Sequence, residues 1–347
     1  MRYATKGAYR KAWDDAYLVD PPVPLNLDIE LASACNLACP FCHFGESDFA
    51  KGYLNQNDFD GSPIRRFMPV DMALRIIDEA ADLGIPALKM NFRGESTLHR
   101  VFSEICRYAR GKTNSRSAMG VPFKPLNYIK YEAPAFYDIL SNTNANSPDS
   151  AIDGLMACTK VMVSLDSCDP ITYPKVRVNG KIERAFEVIR ELKKRGHPDL
   201  WVRRVIAEEN KHEDFVGDVK RIFGEDTKVS EHFAFNGRNK EYQGCQNASA
   251  PEDWERNFCG YPSQRVVITA SGQYVPCCVS WRGEFDAPRW PETSIEAYWN
   301  GPWRRKLTDE LRRNELRYDI CKKCTSYMAY KRPERAYVKD VEGRAVL

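Results

Sequence analysis

Three cysteines, Cys35, Cys39 and Cys42, stand in a C-x3-C-x2-C spacing within "CNLACPFCHF", and no fourth lies nearby. A disulfide uses cysteines in pairs and a structural zinc site takes four ligands, so a set of three asks for another kind of centre. Far along the chain, Cys259, Cys277, Cys321 and Cys324 bracket a hairpin-like stretch, the last two as C-x2-C in "CKKC". Two distant cysteines and a close pair can converge tetrahedrally on one metal centre. The chain holds 12 cysteines in all. In a reducing cytosol such residues are metal ligands more often than disulfide partners.

These seven residues need a scaffold, and the chain is long enough to build one. Its 347 residues suit one large domain, or a large domain plus a small one. A net charge of +3 lacks the strongly basic signature of a nucleic-acid binder. The N-terminal stretch has no uninterrupted apolar segment of signal-peptide type, and no apolar run is long enough to span a membrane. The expectation is a cytoplasmic protein that partners neither nucleic acid nor membrane.

Strand-like runs alternate with amphipathic helical ones. "PLNLDIELA" (24–32) reads as a strand running into Cys35, and "MPVDMALRIIDEAADLG" as a helix stopped by Gly84. "PALKMNF", "AFYDILSNT", "KVMVSLD", "LWVRRVIAEEN" and "KVSEHFAF" follow as strands. Between them, "LHRVFSEICRYARG", "IERAFEVIRELKKRG" and "HEDFVGDVKRIFG" carry helical periodicity. Repeated β–α units imply parallel strands with helical crossovers. The fold class is α/β, and six units suit a partial (β/α)6 TIM-like barrel better than an open doubly wound sheet. Residues 111–135 read as an inserted loop over one face. Beyond about residue 240 the pattern changes to a hairpin turning at Ser271-Gly272, one long helix over "SIEAYWNGPWRRKLTDELRRNEL", and then "CKKC". The division is an N-terminal extension (1–24), the barrel (25–240), a small hairpin-plus-helix iron–sulfur domain (241–330) and a tail (331–347). The Lys- and Arg-rich run from "WRRKL" to "YKRPER" reads as a solvated helix face, or else as an electropositive rim for an anionic substrate.

A cubane [4Fe–4S] cluster held by three thiolates keeps one iron open to a chelating ligand. The first motif resembles the radical S-adenosylmethionine (SAM) superfamily signature C-x3-C-x-aromatic-C, with Phe41 as the aromatic residue. In that family SAM's methionyl amino and carboxylate groups chelate the open iron, and one electron cleaves SAM to a 5′-deoxyadenosyl radical that abstracts a substrate hydrogen. "NFRGES" is similar to the family's Gly-Gly-Glu motif, with Arg93 in place of the first glycine. The resemblance implies that Gly94 admits the ligand and that Glu95 accepts from SAM's ammonium group. "NTNAN" resembles Thr-Asn-Gly around Asn144, with Ala145 where glycine is usual. "VSLDS" resembles Ser-Leu-Asp-Gly, implying Ser164 and Asp166 as holders of the ribose and methionyl end. Arg203 or Arg204 would pair with SAM's carboxylate, and alternation admits one of them inward, with Arg203 preferred. All sit at successive strand ends, where barrels of this kind build active sites. The family also implies a flavodoxin- or ferredoxin-like electron donor.

The C-terminal cysteines resemble the SPASM/Twitch auxiliary-cluster extension, with Gly272-x4-Cys277 in the expected spacing. No cysteine follows Cys324, which matches the shorter, one-cluster Twitch form. A zinc ribbon is the competing reading. Cys278 can replace Cys277 as ligand. Cys168 or Cys278 can instead return hydrogen to a substrate radical, as thiols do in family members that epimerise. Cys106 and Cys158 read as small core residues. Three chemistries stay open. One is oxidation or epimerisation of a small molecule such as a sugar or aminocyclitol. Another is modification of a ribosomally made peptide, disfavoured because the stretch before the first strand is short for a leader-binding domain. The last is a non-catalytic electron carrier.

Overall fold

A computed structural model describes residues 3, 5–16, 20–42, 66–112, 134–233, 254–256, 259–278, 280, 283–324 and 328–330. The expected inserted loop, the link into the second unit and the C-terminal tail fall largely or wholly outside these. Six strands form one parallel run: β1 (Asn26–Ile29), β2 (Ala87–Lys89), β3 (Asp138–Thr143), β4 (Lys160–Ser164), β5 (Leu200–Ile206) and β6 (Lys228–Phe233). Their order is sequential, so each pairs with the next, and each has its register with its neighbour. The run curves as a partial barrel that is not closed among the described residues, as the alternation of strands and helices predicts.

Helices cover the outer face. Helix α1 (Lys6–Asp15) precedes β1, and α2 (Val70–Leu83), α3 (Phe102–Gly111) and α4 (Ile152–Ala157) link the first four strands. Short α5 (Tyr173–Val176) and α6 (Ile182–Lys194) lead to β5, and α7 (Phe215–Phe223) to β6. Helix α2 stops where the sequence implies, with Gly84 left-handed at φ 76° and its N–H returned to Ala80 and Ala81 carbonyls. Alternate strand residues Leu27, Ile29, Leu88, Ile139, Val161, Val163 and Val202 face the helices and join one core with Ile76, Ile77, Phe102 and Val188. Each such aliphatic side chain, removed from water, stabilises the fold by roughly 1.5–3 kcal/mol.

The opposite, inner face is polar. Asp28 and Lys89 are register partners on it, as are Ser164, Arg203 and Ser230, and Asn142 and His232 point to the same side. Helix α1, within the segment read as a mere extension, closes the amino end of the strands: Tyr9 and Trp13 bury with Leu25 and Ala87, and Tyr9 stacks on Tyr137 at 6.4 Å.

The C-terminal unit joins the same sheet. After short α8 (Tyr261–Gln264), β8 (Arg265–Ile268) pairs parallel with β1, and β9 (Tyr274–Val275) pairs antiparallel with β8. A separate pair joins β7 (Trp254–Arg256) to β10 (Met328–Tyr330). The hairpin turns as expected, with Gly272 at φ 91° and its N–H on the Thr269 carbonyl. The single long helix expected after it is two, α9 (Ile295–Asn300) and α10 (Pro302–Arg312). Gly301 and Pro302 divide them: the extended Gly301 ends one helix, and Pro302 starts the next at its first position. The basic run is not wholly solvated either. Arg304 is buried, stacked over Trp299 at 4.1 Å, and donates to the Pro262 carbonyl and to Asp20. Helix α11 (Asp319–Lys323) carries Cys321 and ends at Cys324.

Candidate functional site

The three-cysteine loop leaves the carboxyl end of β1 and is clamped by the loop after β2. Gly94 lies in the left-handed region (φ 63°), and a Cβ there would fall 2.5 Å from the Ala32 carbonyl and 2.6 Å from that of Ala34. Only glycine permits this approach. Next to it the Glu95 N–H donates to the Ala34 carbonyl at 2.8 Å. Arg93, which replaces a glycine of the resembled motif, forms a buried ion pair with Glu30 at 2.6 Å, and Ala270 N–H also donates to Glu30. That pair ties β1, β2 and β8 together at the mouth.

Glu95 is buried. Its carboxylate accepts from Thr97 Oγ1 at 2.6 Å and from the Asn144 N–H at 2.7 Å. Burial pushes its pKa up, and these donors oppose the rise. Asn144 reaches back to the loop, donating from Nδ2 to Asn36 at 2.9 Å and towards Cys35 Sγ at 3.8 Å. Ala145, in the place of a usual glycine, adopts φ 57°. Burial, reinforced by Glu95, pushes the Cys35 thiol up to about 12. Backbone N–H of Leu37 approaches Cys35 Sγ at 3.4 Å, and Arg177 Nη1 approaches Cys39 Sγ at 3.4 Å. N–H donors aimed at sulfur suit thiolates that hold an iron–sulfur cluster. Phe41 lies beneath the same guanidinium, 5.6 Å from its centre.

Asp166, which the motif implies as a holder of SAM, is gripped by the protein's own groups. It is fully buried at φ 67°, pairs with Arg177 Nε at 2.6 Å, and accepts the Val205 N–H at 2.8 Å. Through these two contacts it pins the strands to the loop that bears Arg177. Arg203 and Arg204 lie on opposite faces of the sheet. Arg203 shares the inner face with Ser164, its register partner, while Arg204 turns outward over Phe215 of α7 and pairs with Glu231.

Sequence reasoning missed the rest of the inner face. Asn142 Oδ1, Arg203 Nε, Ser230 Oγ and His232 Nε2 are buried atoms without a hydrogen-bond partner. His232 stands beside Arg203, and burial together with that cation pulls its imidazole down to about 4. The signal was present in the strand alternation: Ser230 and His232 fall two apart on β6.

The second cysteine set surrounds one cavity. Cys259, Cys277, Cys321 and Cys324 line it with Pro262, Phe285, Leu307, Leu311 and Ile320. An all-thiolate ring in an apolar shell fits an iron–sulfur cluster. Cys277 lines the cavity, whereas Cys278 is exposed and lies near Lys89 and Arg265 of the inner face. Cys168 is elsewhere: it is buried in the outer core, near Asp218 and Arg221 of α7. Its charged neighbours there, Asp218, Glu213, Arg221 and Arg204, belong to the outer side of the strands rather than to the inner-face polar set. Cys106 and Cys158 are core residues, their sulfurs 4.0 Å apart.

Taken together, these features define an iron–sulfur enzyme of the partial-barrel class, with a cluster loop at the strand ends. A family model for the radical SAM superfamily matches residues 29–222, and one for an iron–sulfur cluster-binding domain, SPASM, matches 259–325. The chain belongs to the radical SAM superfamily and carries a SPASM domain, so SAM, a [4Fe–4S] cluster and an auxiliary iron–sulfur centre are its cofactors. Those matches set aside the zinc-ribbon reading. Streptococcus suis SuiB bound to its precursor peptide SuiA is similar at TM-score 0.55 and 15% identity, over 87% of this chain and 71% of that one. BtrN in complex with AdoMet and 2-DOIA gives 0.50 and 13%, over 93% of this chain and 100% of that one. anSMEcpe with bound AdoMet and Cp18Cys peptide gives 0.54 and 15%, over 87% and 86%. At such identities the likeness is one of fold. No curated protein matches the chain by sequence.

Proposed function

We propose that the protein cleaves SAM reductively and abstracts a hydrogen from a polar small molecule held inside the partial barrel. The unpartnered inner-face atoms, Asn142 Oδ1, Arg203 Nε, Ser230 Oγ and His232 Nε2, carry this reading. Buried polar groups without partners are costly, and a hydroxylated ligand would satisfy them. The cluster and SAM supply one-electron cleavage to a 5′-deoxyadenosyl radical. The protein's own residues do the holding. Cys35, Cys39 and Cys42 would ligate the first cluster, Glu95 would accept from SAM's ammonium, and Asn144 and Ser164 would line its path. Arg203 would meet SAM's carboxylate, and neutral His232 would accept a substrate proton. Cys259, Cys277, Cys321 and Cys324 would hold a second cluster with no open position, suited to carrying away the electron of an oxidation. A flavodoxin- or ferredoxin-like protein would provide the first electron. Among the described residues no helix is long and apolar enough to cross a membrane.

One observation favours a redox-neutral variant: the Cys278 thiol is exposed near Lys89 and Arg265 of the inner face, and would there return hydrogen to a substrate radical. The test is 5′-deoxyadenosine formation by anaerobically reconstituted protein with panels of sugars and aminocyclitols and of peptides. Acceleration by a small polar molecule, with product two hydrogens lighter, supports oxidation. A product of unchanged mass in ordinary water that takes up one deuterium in heavy water points to Cys278, and acceleration by peptides alone overturns the small-molecule reading.

A further inference from the structure

We propose that Arg177 is a positioning residue for the SAM-binding cluster, holding the ligand Cys39 and raising the cluster's reduction potential. The inference rests on the family assignment and on three contacts. Arg177 Nη1 lies 3.4 Å from Cys39 Sγ, Arg177 Nε lies 2.6 Å from Asp166 Oδ2, and the guanidinium covers the Phe41 ring at 5.6 Å. All three polar partners are buried: Cys39 is 6% exposed, Arg177 8% and Asp166 0%. A guanidinium is a permanent charge whose planar fork can serve two partners at once. Here one arm is anchored on a carboxylate that cannot move, since Asp166 also accepts the Val205 N–H, and the other arm is aimed at sulfur.

The backbone reinforces the aim. Ala38 N–H donates to the Val178 carbonyl at 3.0 Å, strapping the cysteine loop to the segment that bears Arg177. Arg177 N–H is returned to the Tyr173 carbonyl at 2.7 Å, and Tyr173 Oη meets Asn146 Nδ2 at 2.9 Å. Cys39 therefore faces a cation, while Cys35 receives neutral donors from Leu37 and Asn144. Reduction adds negative charge to a cluster and its thiolates. A buried positive donor on one thiolate stabilises that reduced form more than the oxidised one, which raises the potential. Asp166 offsets the cost of burying the guanidinium without touching the sulfur itself.

The measurement is the midpoint potential of each cluster in anaerobically reconstituted full-length protein without SAM, followed by electron paramagnetic resonance. Arg177→Gln should shift the first cluster negative by at least a tenfold change in its one-electron equilibrium, 59 mV. The auxiliary cluster, held by other cysteines, should not move and serves as an internal reference. Because Arg177→Gln strands a buried carboxylate, the pair Asp166→Asn with Arg177→Gln keeps the test possible if the single variant fails to fold. Arg177→Lys should recover part of the shift. An unchanged potential in the folded double variant, an equal shift of both clusters, or a lysine variant no better than the glutamine one overturns the proposal.

Discussion

His232 shows how much a single residue on this scaffold depends on what surrounds it. Free imidazoles titrate near 6.5, but burial first, and Arg203 second, hold this one at about 4. Between those values the unfolded chain binds a proton that the folded chain refuses. Stability is therefore full above about pH 6.5 and falls as the pH drops towards 4, by on the order of 2–3 kcal/mol. Denaturant titrations of wild type and His232→Gln should converge in stability change at neutral pH and diverge below 6, the variant having the flatter profile. Parallel profiles would mean the imidazole is solvated and free to protonate. Glu95 and Asp166 make the complementary point. Both carboxylates were visible as motif members, yet one sits against the cysteine loop and Asn144 while the other is locked to Arg177. A motif names a residue type at a turn, and the hydrogen bonds around it decide which atoms remain for a ligand.

At the scale of elements, the loop after β2 is the part that shapes the cluster site. Gly94→Ala would drive a Cβ into the Ala32 and Ala34 carbonyls at 2.5–2.6 Å, backbone against backbone, where no rotamer can relieve the clash. The expected outcome is loss of the first cluster, with iron falling from two clusters per chain to one. Gly196→Ala is the control, since Gly196 also has a positive φ (71°) but nothing within 4 Å of the added methyl. It should cost roughly 1–2 kcal/mol of left-handed strain and keep all the iron. If both variants retain two clusters, the close approach at Gly94 is not what holds the cysteine loop.

On the scale of the whole molecule, the C-terminal unit is built into the barrel rather than hung from it. Its hairpin extends the sheet by pairing β8 with β1, and Ala270 and Arg93 meet on Glu30 at the mouth. The arrangement predicts that the sheet survives without the auxiliary centre. In Cys321→Ala with Cys324→Ala, iron content should halve and SAM cleavage should persist, while oxidised product is lost. Loss of the first cluster as well would show that the unit folds only around its own centre and that β1 depends on it.

The strand–helix order, the three-thiolate loop and the four distant cysteines were legible in the chain, because periodicity and ligand spacing are local properties. Strand alternation also required that only one of Arg203 and Arg204 face inward. Three things were not legible, each for the same reason: they depend on pairings between residues far apart in sequence. The extended N-terminal stretch becomes helix α1 because Tyr9 and Trp13 find Leu25 and Ala87 to bury against. Cys168 and Cys278, alike as candidate thiols in the chain, separate because one packs under α7 and the other emerges beside Lys89 and Arg265. Arg177 is an ordinary charge in the sequence, and only the fold, by setting Asp166 on one side of it and Cys39 on the other, turns that charge towards the cluster loop.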